Sequence, residues 1–417
     1  MKVLVIGSGG REHAICTKLK ESKLVSKIYC APGNAGIANV ATLVDSKPMD
    51  FLSIVDFSKR EEIDLVVVAP DNPLAGGLVD ILNANDIKAF GPTKRAAEIE
   101  GSKAFSKSFM KKYGIPTADY AVFNKYEAAK DYLDKVEKFP IVLKADGLAF
   151  GKGVIIAHDK VSAQNSLENM MLSKVFGDAA NTVIIEEFLE GPEMTLLCFT
   201  DGKTVSAMPS SQDHKKAFDG DKGLNTGGMG AFSPAKAYTP QVEKEIMENI
   251  VKKTIDGLNK ENRTFKGVLY FGLMATASGV KVIEYNARFG DPETQAILPL
   301  LESDLCEIML ATIDGTLNNI DIKWKNKVGF SVVVASGGYP ENVIKGYEIE
   351  ILPLDEDLIL YHAGTKESNG KLYTNGGRVF NLSVVADSID EARKKVYSNI
   401  DKIKFTGARY RSDIGIK

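Results

Sequence analysis

Cysteine and histidine are scarce in this chain, and neither residue type is clustered. The four cysteines and four histidines are spread over 417 residues, and no Cys-x-x-Cys pair occurs. Structural zinc needs closely spaced Cys or His ligands, and a disulfide framework needs regularly spaced cysteines. The composition therefore argues against both. The residues concerned are Cys16, Cys30, Cys198, Cys306, His13, His158, His214 and His362.

The chain also lacks long apolar runs and a strong excess of charge. Its opening run, 2–6, is too short for a secretory signal, and no stretch approaches the length needed to cross a bilayer. A net charge of −3 gives no electrostatic reason for binding nucleic acid or an anionic membrane. With 26% charged and 44% hydrophobic residues, we expect a cytoplasmic globular protein that binds neither nucleic acid nor membranes.

The length predicts roughly two to four domains, and no internal repeat or low-complexity tract interrupts the chain. Four short apolar runs precede Pro92, and each is closed by Gly or Pro. Near-continuous apolar strands between helical patterns are typical of a parallel sheet covered on both faces. The predicted strands are Val3–Ile6, Lys27–Cys30, Leu65–Val68 and Ile87–Phe90.

An α+β pattern follows. Helices are predicted over 94–100, with Thr93 as N-cap, and over 102–113, ended by Gly114. Segment 212–234 is rich in Gly, Asp, Lys and Asn and has little periodicity, so we predict a long loop that acts as a lid. Further strands are predicted at 120–123, 141–145, 154–157, 183–188, 194–200, 267–276, 281–285, 329–335, 362–364 and 378–385, with helices from 240 and over 390–399.

The most informative polar residues are a carboxylate, an amide and an arginine at the end of a predicted strand. Side chains alternate along a strand, so Glu284, Asn286 and Arg288 are predicted to point the same way. Hard oxygens bind Mg²⁺, and a guanidinium neutralises charge during phosphoryl transfer. A half-buried strand with a polar solvent face is the alternative. The Arg-Phe-Gly-Asp-Pro-Glu continuation favours a magnesium–nucleotide site.

A glycine-bearing loop between two predicted strands is a second candidate. Gly147, Gly151 and Gly153 allow the backbone to approach phosphates, while Lys144 and Lys152 supply positive charge. The loop is not a Walker A motif, because no Ser or Thr follows the Gly-Lys pair. A plain β-hairpin with a solvated lysine is the alternative.

Two further features are weaker. The strand ending in Glu186-Glu187-Phe188-Leu189 offers backbone groups to an adenine edge, and Glu193 beyond it is a candidate for ribose hydroxyls. The first turn matches only two glycines of the dinucleotide-binding fingerprint, which disfavours NAD. Its helix start, at Gly9 and Gly10, still suits a phosphate. The turn at Asn34 is a similar candidate, and an ordinary loop explains it equally well.

The order and spacing of these pieces resemble the ATP-grasp superfamily and, within it, the phosphoribosylamine–glycine ligase family over essentially the full chain. The blocks at 211–215 (Ser-Gln-Asp-His-Lys) and 225–231 (Asn-Thr-Gly-Gly-Met-Gly-Ala) are not general ATP-grasp features, so they separate this family from its relatives. Other matching blocks lie at 9–13, 32–36, 101–105, 144–149, 286–295, 362–365 and 375–379.

The chain departs from the family pattern at a few positions. Asp71 stands where the family usually has Glu, Phe150 where it has a small residue, and Leu224 where it often has Pro. The strand at 269–276 also lacks the extra carboxylate that many ATP-grasp enzymes use as a metal ligand. None of these changes removes a charge needed for the chemistry, but Asp71 and Phe150 bear on substrate contact and loop motion.

The resemblance implies a multidomain α/β and α+β fold. An N-terminal parallel-sheet α/β substrate-binding domain is expected at 1–102, and an ATP-grasp domain at 103–320 with a flexible subdomain near 116–190. A small, β-rich C-terminal α+β domain is expected at 321–417. The implied reaction joins glycine to 5-phospho-β-D-ribosylamine through glycyl phosphate, with ATP, Mg²⁺ or Mn²⁺, in purine (IMP) biosynthesis. A monomer or weak dimer is expected.

The resemblance also implies residue roles. Catalysis is assigned to Arg288, Lys144 and Lys152, and metal binding to Glu284 and Asn286. ATP binding is assigned to Lys103, Lys144, Gly151, Lys152, Gly153, Glu186, Glu187, Phe188, Leu189 and Glu193. Substrate binding is assigned to Gly9, Gly10, Asn34, Asp213, Asn225, Thr226, Gly227, Asp291 and Glu293. His214, next to Lys215, is expected to position substrate rather than act as a base. The loop around Phe150 is expected to be a second lid.

Three rival functions remain at this stage. The block at 225–228 argues against another ATP-grasp carboxylate–amine ligase. Retention of Glu284, Asn286 and Arg288 argues against an ATP-binding regulator without catalysis. An NAD-dependent dehydrogenase is the third rival, and its fingerprint is incomplete.

Overall fold

The N-terminal strands form a five-stranded parallel sheet in the order β3-β2-β1-β4-β5, which confirms the predicted parallel sheet. The computed structural model that shows it describes residues 1–147 and 153–416. Val3 and Val5 pack in one core cluster, and Leu4 and Ile6 pack in another. Burial of both faces explains the continuous apolar runs. The elements are β1 (Lys2–Gly7), β2 (Lys27–Pro32), β3 (Thr42–Leu43), β4 (Leu65–Val68), β5 (Ala89–Phe90), α1 (Gly10–Lys20), α2 (Phe51–Arg60), α3 (Asp71–Gly76), α4 (Leu78–Asn83) and α5 (Lys94–Gly101).

A second, antiparallel sheet has the order β6-β9-β7-β8. It follows a helix that begins at a capped N-terminus, where Ser102 Oγ accepts a hydrogen bond from the Phe105 amide. That helix ends at Gly114 in the left-handed conformation, as predicted. The elements are α6 (Lys103–Tyr113), β6 (Tyr120–Phe123), α7 (Tyr126–Asp134), β7 (Ile141–Ala145), β8 (Val154–Ala157), α8 (Lys160–Met171) and β9 (Val183–Glu187).

A third sheet, with antiparallel order β11-β10-β16-β17, packs beside the first. Leu196 and Phe271 share a core cluster with Leu4 and Ile6 of β1, so the two sheets form one hydrophobic interior. A π-helical segment, Met247–Val251, joins α9 and α10. The elements are β10 (Glu193–Thr200), β11 (Val205–Ala207), β12 (Gln212–Asp213), β13 (Lys216–Phe218), β14 (Lys222–Asn225), β15 (Gly230–Ser233), α9 (Pro240–Ile246), α10 (Lys252–Lys260), β16 (Gly267–Thr276), β17 (Gly279–Asn286), α11 (Glu293–Ile297) and α12 (Leu305–Asp314).

The C-terminal sheet has the order β12-β15-β18-β23-β20, so two strands from the middle of the sequence complete it. The strand predicted at 362–364 is misplaced, because β20 ends at His362 and the next residues turn. No helix among the described residues is long and apolar enough to span a membrane. The elements are β18 (Val328–Ala335), β19 (Glu350–Ile351), β20 (Leu358–His362), β21 (Thr365–Ser368), β22 (Lys371–Thr374), β23 (Arg378–Ala386), α13 (Ile389–Tyr397) and β24 (Ile403–Lys404).

The prediction of one long loop over 212–234 is wrong. The segment contains four short strands, and β13 pairs with β14 as a hairpin. Strands of two to four residues are too short to show a period of two, and β15 is buried on both faces, so its sequence does not alternate. Since β12 and β15 belong to the C-terminal sheet, they are held by non-local pairing that no local pattern reveals.

Arg411 and Asp413, near the C-terminal end, bind the β13–β14 hairpin. Arg411 is only 1% exposed in its side chain, and its guanidinium lies 2.7 Å from Asp413 and 2.9 Å from Asp221. It also donates to the Lys216 carbonyl at 3.0 Å, and the Gly220 amide donates to Asp413 at 2.8 Å. Charge-assisted hydrogen bonds of this kind are stronger than neutral ones. The hairpin is therefore anchored to the C-terminal segment rather than free.

Arg411→Ala is expected to loosen this hairpin. Loss of the charge-assisted bonds should lower the free energy of local opening at 216–225 by about 1.5–3 kcal/mol. Native-state hydrogen exchange of the hairpin amides measures this change. Arg60→Ala is the control, because the Arg60 side chain is 67% exposed and pairs with Glu61 at 3.4 Å. Equal exchange rates of the hairpin amides in the two variants would contradict this anchoring by Arg411.

Candidate active site

One cavity of about 330 Å³ collects most of the predicted site residues. It lies where α5, α6, the second sheet, β17 and the 213–227 segment meet. Residues that are distant in sequence thus share one concave cleft, and small-molecule sites are usually clefts of this kind. The predicted residues that line it are Lys103, Lys144, Gly153, Glu186, Asp213, Thr226, Gly227, Glu284, Asn286, Arg288, Asp291 and Glu293.

The predicted metal ligands lie on β17. Glu284 pairs with Gly272 and Asn286 with Tyr270, and a bulge separates this part of the ladder from Leu273. Tyr285, between them, is buried on the opposite side, where its hydroxyl lies 2.9 Å from Thr254 Oγ1. Strand alternation therefore presents both oxygen-bearing side chains to the cavity, as predicted. Carboxylate and amide oxygens are suitable ligands for a hard divalent cation.

Arg288 lies beside this pair and is held by carboxylates. Its Nη2 atom lies 3.1 Å from Glu100 Oε1, 3.9 Å from Asp71 Oδ2 and 3.3 Å from Asn286 Oδ1. Burial alone would lower the pKa of Arg288, but Glu100 and Asp71 outweigh burial and raise it above its ordinary value. Arg288 Nε is buried without a partner among the described atoms. Glu100 could not be identified as a site residue from the sequence, because its partner Arg288 lies far away in the chain.

Two lysines hold Glu186 at the other end of the cavity. Lys144 Nζ and Lys107 Nζ lie 2.9 Å and 3.0 Å from Glu186 Oε2, and all three residues are buried. Burial, with Lys144 nearby, lowers the pKa of Lys107 to about 8 despite the attraction of Glu186. Glu186 Oε1 has no partner among the described atoms. Lys107 was missed, although its position four residues after Lys103 places both on one helix face.

Lys103 is the cavity cation that lacks a carboxylate partner among the described residues. Its Nζ atom donates to the Gly147 carbonyl at 3.0 Å. Burial and then the nearby Lys144 charge lower the pKa of Lys103, while Glu284 opposes this effect. A buried ammonium group with one neutral partner is suited to receiving an anion.

The 213–227 segment supplies a further charged group. Lys215 Nζ lies 3.1 Å from both Asp213 Oδ1 and Glu193 Oε2. Burial opposes protonation, yet Asp213 and Glu193 raise the pKa of Lys215 well above its ordinary value. The Thr226 hydroxyl and amide both donate to the Lys215 carbonyl at 2.8 Å. These bonds fix the wall of the cleft that carries Asp213 and Thr226.

Arg378 joins the C-terminal sheet to the cavity. Its Nη1 atom donates to the carbonyls of Gly227 at 2.6 Å and Asp291 at 2.8 Å, and it pairs with Asp291 Oδ1 at 3.3 Å. Burial would raise the pKa of Asp291, but Arg378 and Arg11 lower it below its ordinary value. Arg378 therefore fixes both Gly227 and Asp291. Its site role was missed, because nothing local marks it as a cleft residue.

Several predicted residues lie outside the lining of this cavity. The Gly9 amide already donates to Glu12 Oε2 at 2.6 Å, and Asn34 Nδ2 donates to the Ser8 and His362 carbonyls at 2.9 Å. Glu187 pairs with Lys281 at 2.6 Å. Gly151 and Lys152, like Phe150, lie outside the described residues. The predicted residues that do not line the cavity are Gly9, Gly10, Asn34, Glu187, Phe188, Leu189, Glu193 and Asn225.

His214 also lies away from the cavity lining. It is buried, its ring packs 6.0 Å from that of Phe232, and neither ring nitrogen has a partner among the described atoms. Burial, followed by the charge of Arg411, lowers its pKa. Its backbone is paired with Gly230 and Met229, at 2.9 Å and 2.8 Å. In this setting it supports the segment that carries Asp213 and Lys215.

Three family models match consecutive parts of the chain. The N domain of phosphoribosylglycinamide synthetase matches residues 1–100, its ATP-grasp (A) domain matches residues 101–294, and its C domain matches residues 329–417. Together they account for most of the sequence, and they confirm the resemblance to the ATP-grasp ligases.

Two relatives match nearly the whole of this chain. A phosphoribosylamine–glycine ligase of Caldanaerobacter subterraneus subsp. tengcongensis is 47% identical over 414 residues, which cover 99% of each chain. The bifunctional purine biosynthetic protein of Pichia angusta is 48% identical over 99% of this chain, which spans only 53% of that longer protein.

Solved structures point the same way. The crystal structure of a phosphoribosylamine–glycine ligase from Thermotoga maritima superposes with a TM-score of 0.87 at 33% identity, covering 100% of both chains. Three domain models in order, relatives at nearly half identity and this shared fold lead to one conclusion. The chain belongs to the phosphoribosylglycinamide synthetase family of ATP-grasp ligases.

Proposed function

We propose that the cleft joins glycine to 5-phospho-β-D-ribosylamine while ATP is converted to ADP and phosphate, giving glycinamide ribonucleotide for purine (IMP) biosynthesis. The chain is an ATP-dependent carbon–nitrogen ligase. The observation that carries the proposal is the convergence of Lys103, Lys144, Glu284, Asn286 and Arg288 on one cavity. Phosphoryl transfer depends chiefly on positioning and charge neutralisation, and these residues supply both.

We place ATP along the cavity according to the charged residues that line it. Lys103, Lys144 and Lys152 are assigned to the phosphates, and Gly151 and Gly153 are assigned to ATP as well. The unpartnered Glu186 Oε1 is a buried acceptor, and a donor such as the exocyclic amine of adenine would satisfy it. Backbone groups at 187–189 are assigned to the adenine edge, and Glu193 to the ribose.

ATP-grasp enzymes use ATP with divalent metal ions, and we assign Mg²⁺ or Mn²⁺ to Glu284 and Asn286. Both side chains offer hard oxygens to the cavity, and Glu284 forms no ion pair among the described residues. The bound ion supplies neutralisation of phosphate charge. Glu284 and Asn286 would hold the ion together with oxygens of the nucleotide, because two protein oxygens do not fill the shell of either ion.

Arg288 is assigned to the transferring phosphoryl group. The glycine carboxylate attacks the γ-phosphorus to give glycyl phosphate, and the amine of the ribosylamine then displaces phosphate. Arg288 is already fixed by Glu100 and Asp71, so no reorganisation is required when charge develops. Such a fixed donor contributes about 2.7–4 kcal/mol to lowering the barrier.

The two acceptor substrates are assigned to the remaining groups. Glycine and ribosylamine contact the wall formed by Asp213, Asn225, Thr226, Gly227, Asp291 and Glu293. The sugar phosphate is assigned to the turns at Gly9, Gly10 and Asn34. We further propose domains at 1–102, 103–320 and 321–417, with a flexible subdomain near 116–190 that closes over ATP. A cytoplasmic monomer or weak dimer is consistent with this activity.

Arg288→Ala is expected to lower kcat by roughly 10²–10³, because the transferring phosphoryl group loses a fixed cation. Phosphate release that requires glycine and ribosylamine together measures the activity. Arg60→Ala, at an exposed arginine, serves as the matched control and should retain full activity. Wild-type phosphate release that does not depend on both substrates would overturn the proposed function.

Glu284→Gln is expected to raise the Mg²⁺ concentration for half-maximal activity by at least about tenfold. Even residues that only hydrogen-bond to metal ligands contribute about 10–100-fold to metal affinity, so a direct ligand should contribute at least as much. Titration of activity with Mg²⁺ at saturating ATP measures this shift. Glu302→Gln, at an exposed carboxylate, is the control. An unchanged titration for Glu284→Gln would remove this residue from the metal site.

A further inference from the structure

Most charged groups that face the cavity already have a partner of opposite charge. Among the described residues, five of the seven lining carboxylates form ion pairs, and two do not. The paired ones are Asp71 and Glu100 with Arg288, Glu186 with Lys107 and Lys144, Asp213 with Lys215, and Asp291 with Arg378. The two that are left are Glu284 and Glu293.

The surroundings of these two carboxylates differ. Glu284 shares its face of β17 with the Asn286 amide, which suits a cation. Glu293 begins α11 and is only 3% exposed, and its Oε1 lies 3.5 Å from Thr195 Oγ1. Gly290 leaves room for this carboxylate, because a Cβ there would lie 2.5 Å from Glu293 Oε2. The chain therefore holds a buried carboxylate at the cavity without neutralising it.

The groups around Glu293 keep its proton affinity high. Burial and the charge of Asp213 raise the pKa of Glu293 to about 7, and Lys215 only partly opposes them. Tyr270, whose hydroxyl lies 3.0 Å from Thr195 Oγ1, faces it from β16. Arg288 and Arg378 are close enough to interact with it, but their ion pairs are with other carboxylates. A carboxyl in this position exchanges its proton near neutral pH.

The second half of the proposed reaction needs such a group. When an amine attacks an acyl carbon, the nitrogen gains a positive charge and must lose a proton to give a neutral amide. We propose that Glu293 is the general base that takes this proton from the ribosylamine nitrogen as it attacks glycyl phosphate. The C–N bond forms, the bond from the acyl carbon to the phosphate oxygen breaks, phosphate leaves with the electron pair, and the proton moves to Glu293.

This inference rests on the proposed function and goes beyond it by assigning the proton acceptor. Five of the other lining carboxylates are less suited, because their oxygens already pair with a lysine or an arginine, and the sixth, Glu284, is assigned to the metal ion. His214 lies outside the cavity lining. The departing phosphate is the rival acceptor. If the phosphate accepts the proton, loss of the Glu293 carboxylate should have little effect on the second step.

The test separates the two half-reactions in the full chain. Positional isotope exchange in ATP labelled at the β,γ-bridge, with glycine and magnesium but no ribosylamine, reports glycyl phosphate formation. Phosphate release with all substrates reports the complete reaction. Wild type, Glu293→Gln, Glu293→Asp and the control Glu302→Gln are compared, and kcat/KM for ribosylamine is followed from pH 5.5 to 9.

For Glu293→Gln, we expect turnover to fall roughly 10²–10⁴-fold while isotope exchange stays within about threefold of wild type. Wild-type kcat/KM should fall about tenfold per pH unit below an apparent pKa near 7, because the protonated carboxyl cannot accept a proton. This dependence should vanish in Glu293→Gln and persist in Glu293→Asp, which retains a carboxylate.

Turnover of Glu293→Gln within about tenfold of wild type would assign the proton to the departing phosphate and overturn the inference. Equal losses of isotope exchange and turnover would also overturn it, because Glu293 would then serve glycine binding or phosphoryl transfer. Isotope exchange in wild type that does not need glycine would instead reject the proposed function itself. If Glu293→Gln does not fold, the pH profile of Glu293→Asp decides the question. Loss of the low-pH decline of kcat/KM in Glu293→Asp would reject Glu293 as the general base.

Discussion

The cavity depends on the pairing of buried charges. Among the described residues, seven carboxylates and seven cations line about 330 Å³, and isolated charges at such depth would be strongly destabilising. Ion pairs reduce this cost and fix geometry at the same time. Arg288 lies between Glu100 and Asp71, and Glu186 lies between two lysines. The groups left unpaired are therefore the ones available to ligands and to proton transfer.

The scaffold explains why these charges can be held. Alternation on β17 presents Glu284 and Asn286 together, and the Tyr285 between them is anchored in the core. The C-terminal sheet incorporates β12 and β15, so the wall of the cleft is part of a paired sheet. Arg378 fixes Gly227 and Asp291 from the same sheet, and Arg411 fixes the hairpin beyond. The C-terminal region thus shapes a cleft whose proposed nucleotide-binding residues lie elsewhere in the chain.

The sequence predicted features that depend on neighbours in the chain. The apolar runs of the first sheet, the Thr93 cap and the shared face of Glu284 and Asn286 follow from local periodicity and capping. Partnerships between distant residues could not be predicted in this way. Glu100 meets Arg288, and Arg378 meets Asp291, only after the sheets pack. For the same reason, the short strands in 212–234 were predicted as a loop.

A crystal structure of the chain with magnesium and a non-hydrolysable ATP analogue tests the central claim most directly. We expect the triphosphate between Lys103 and Arg288, the metal ion on Glu284 and Asn286, and the adenine amine beside Glu186. A triphosphate bound elsewhere, with the oxygens of Glu284 and Asn286 open to solvent, would contradict the account.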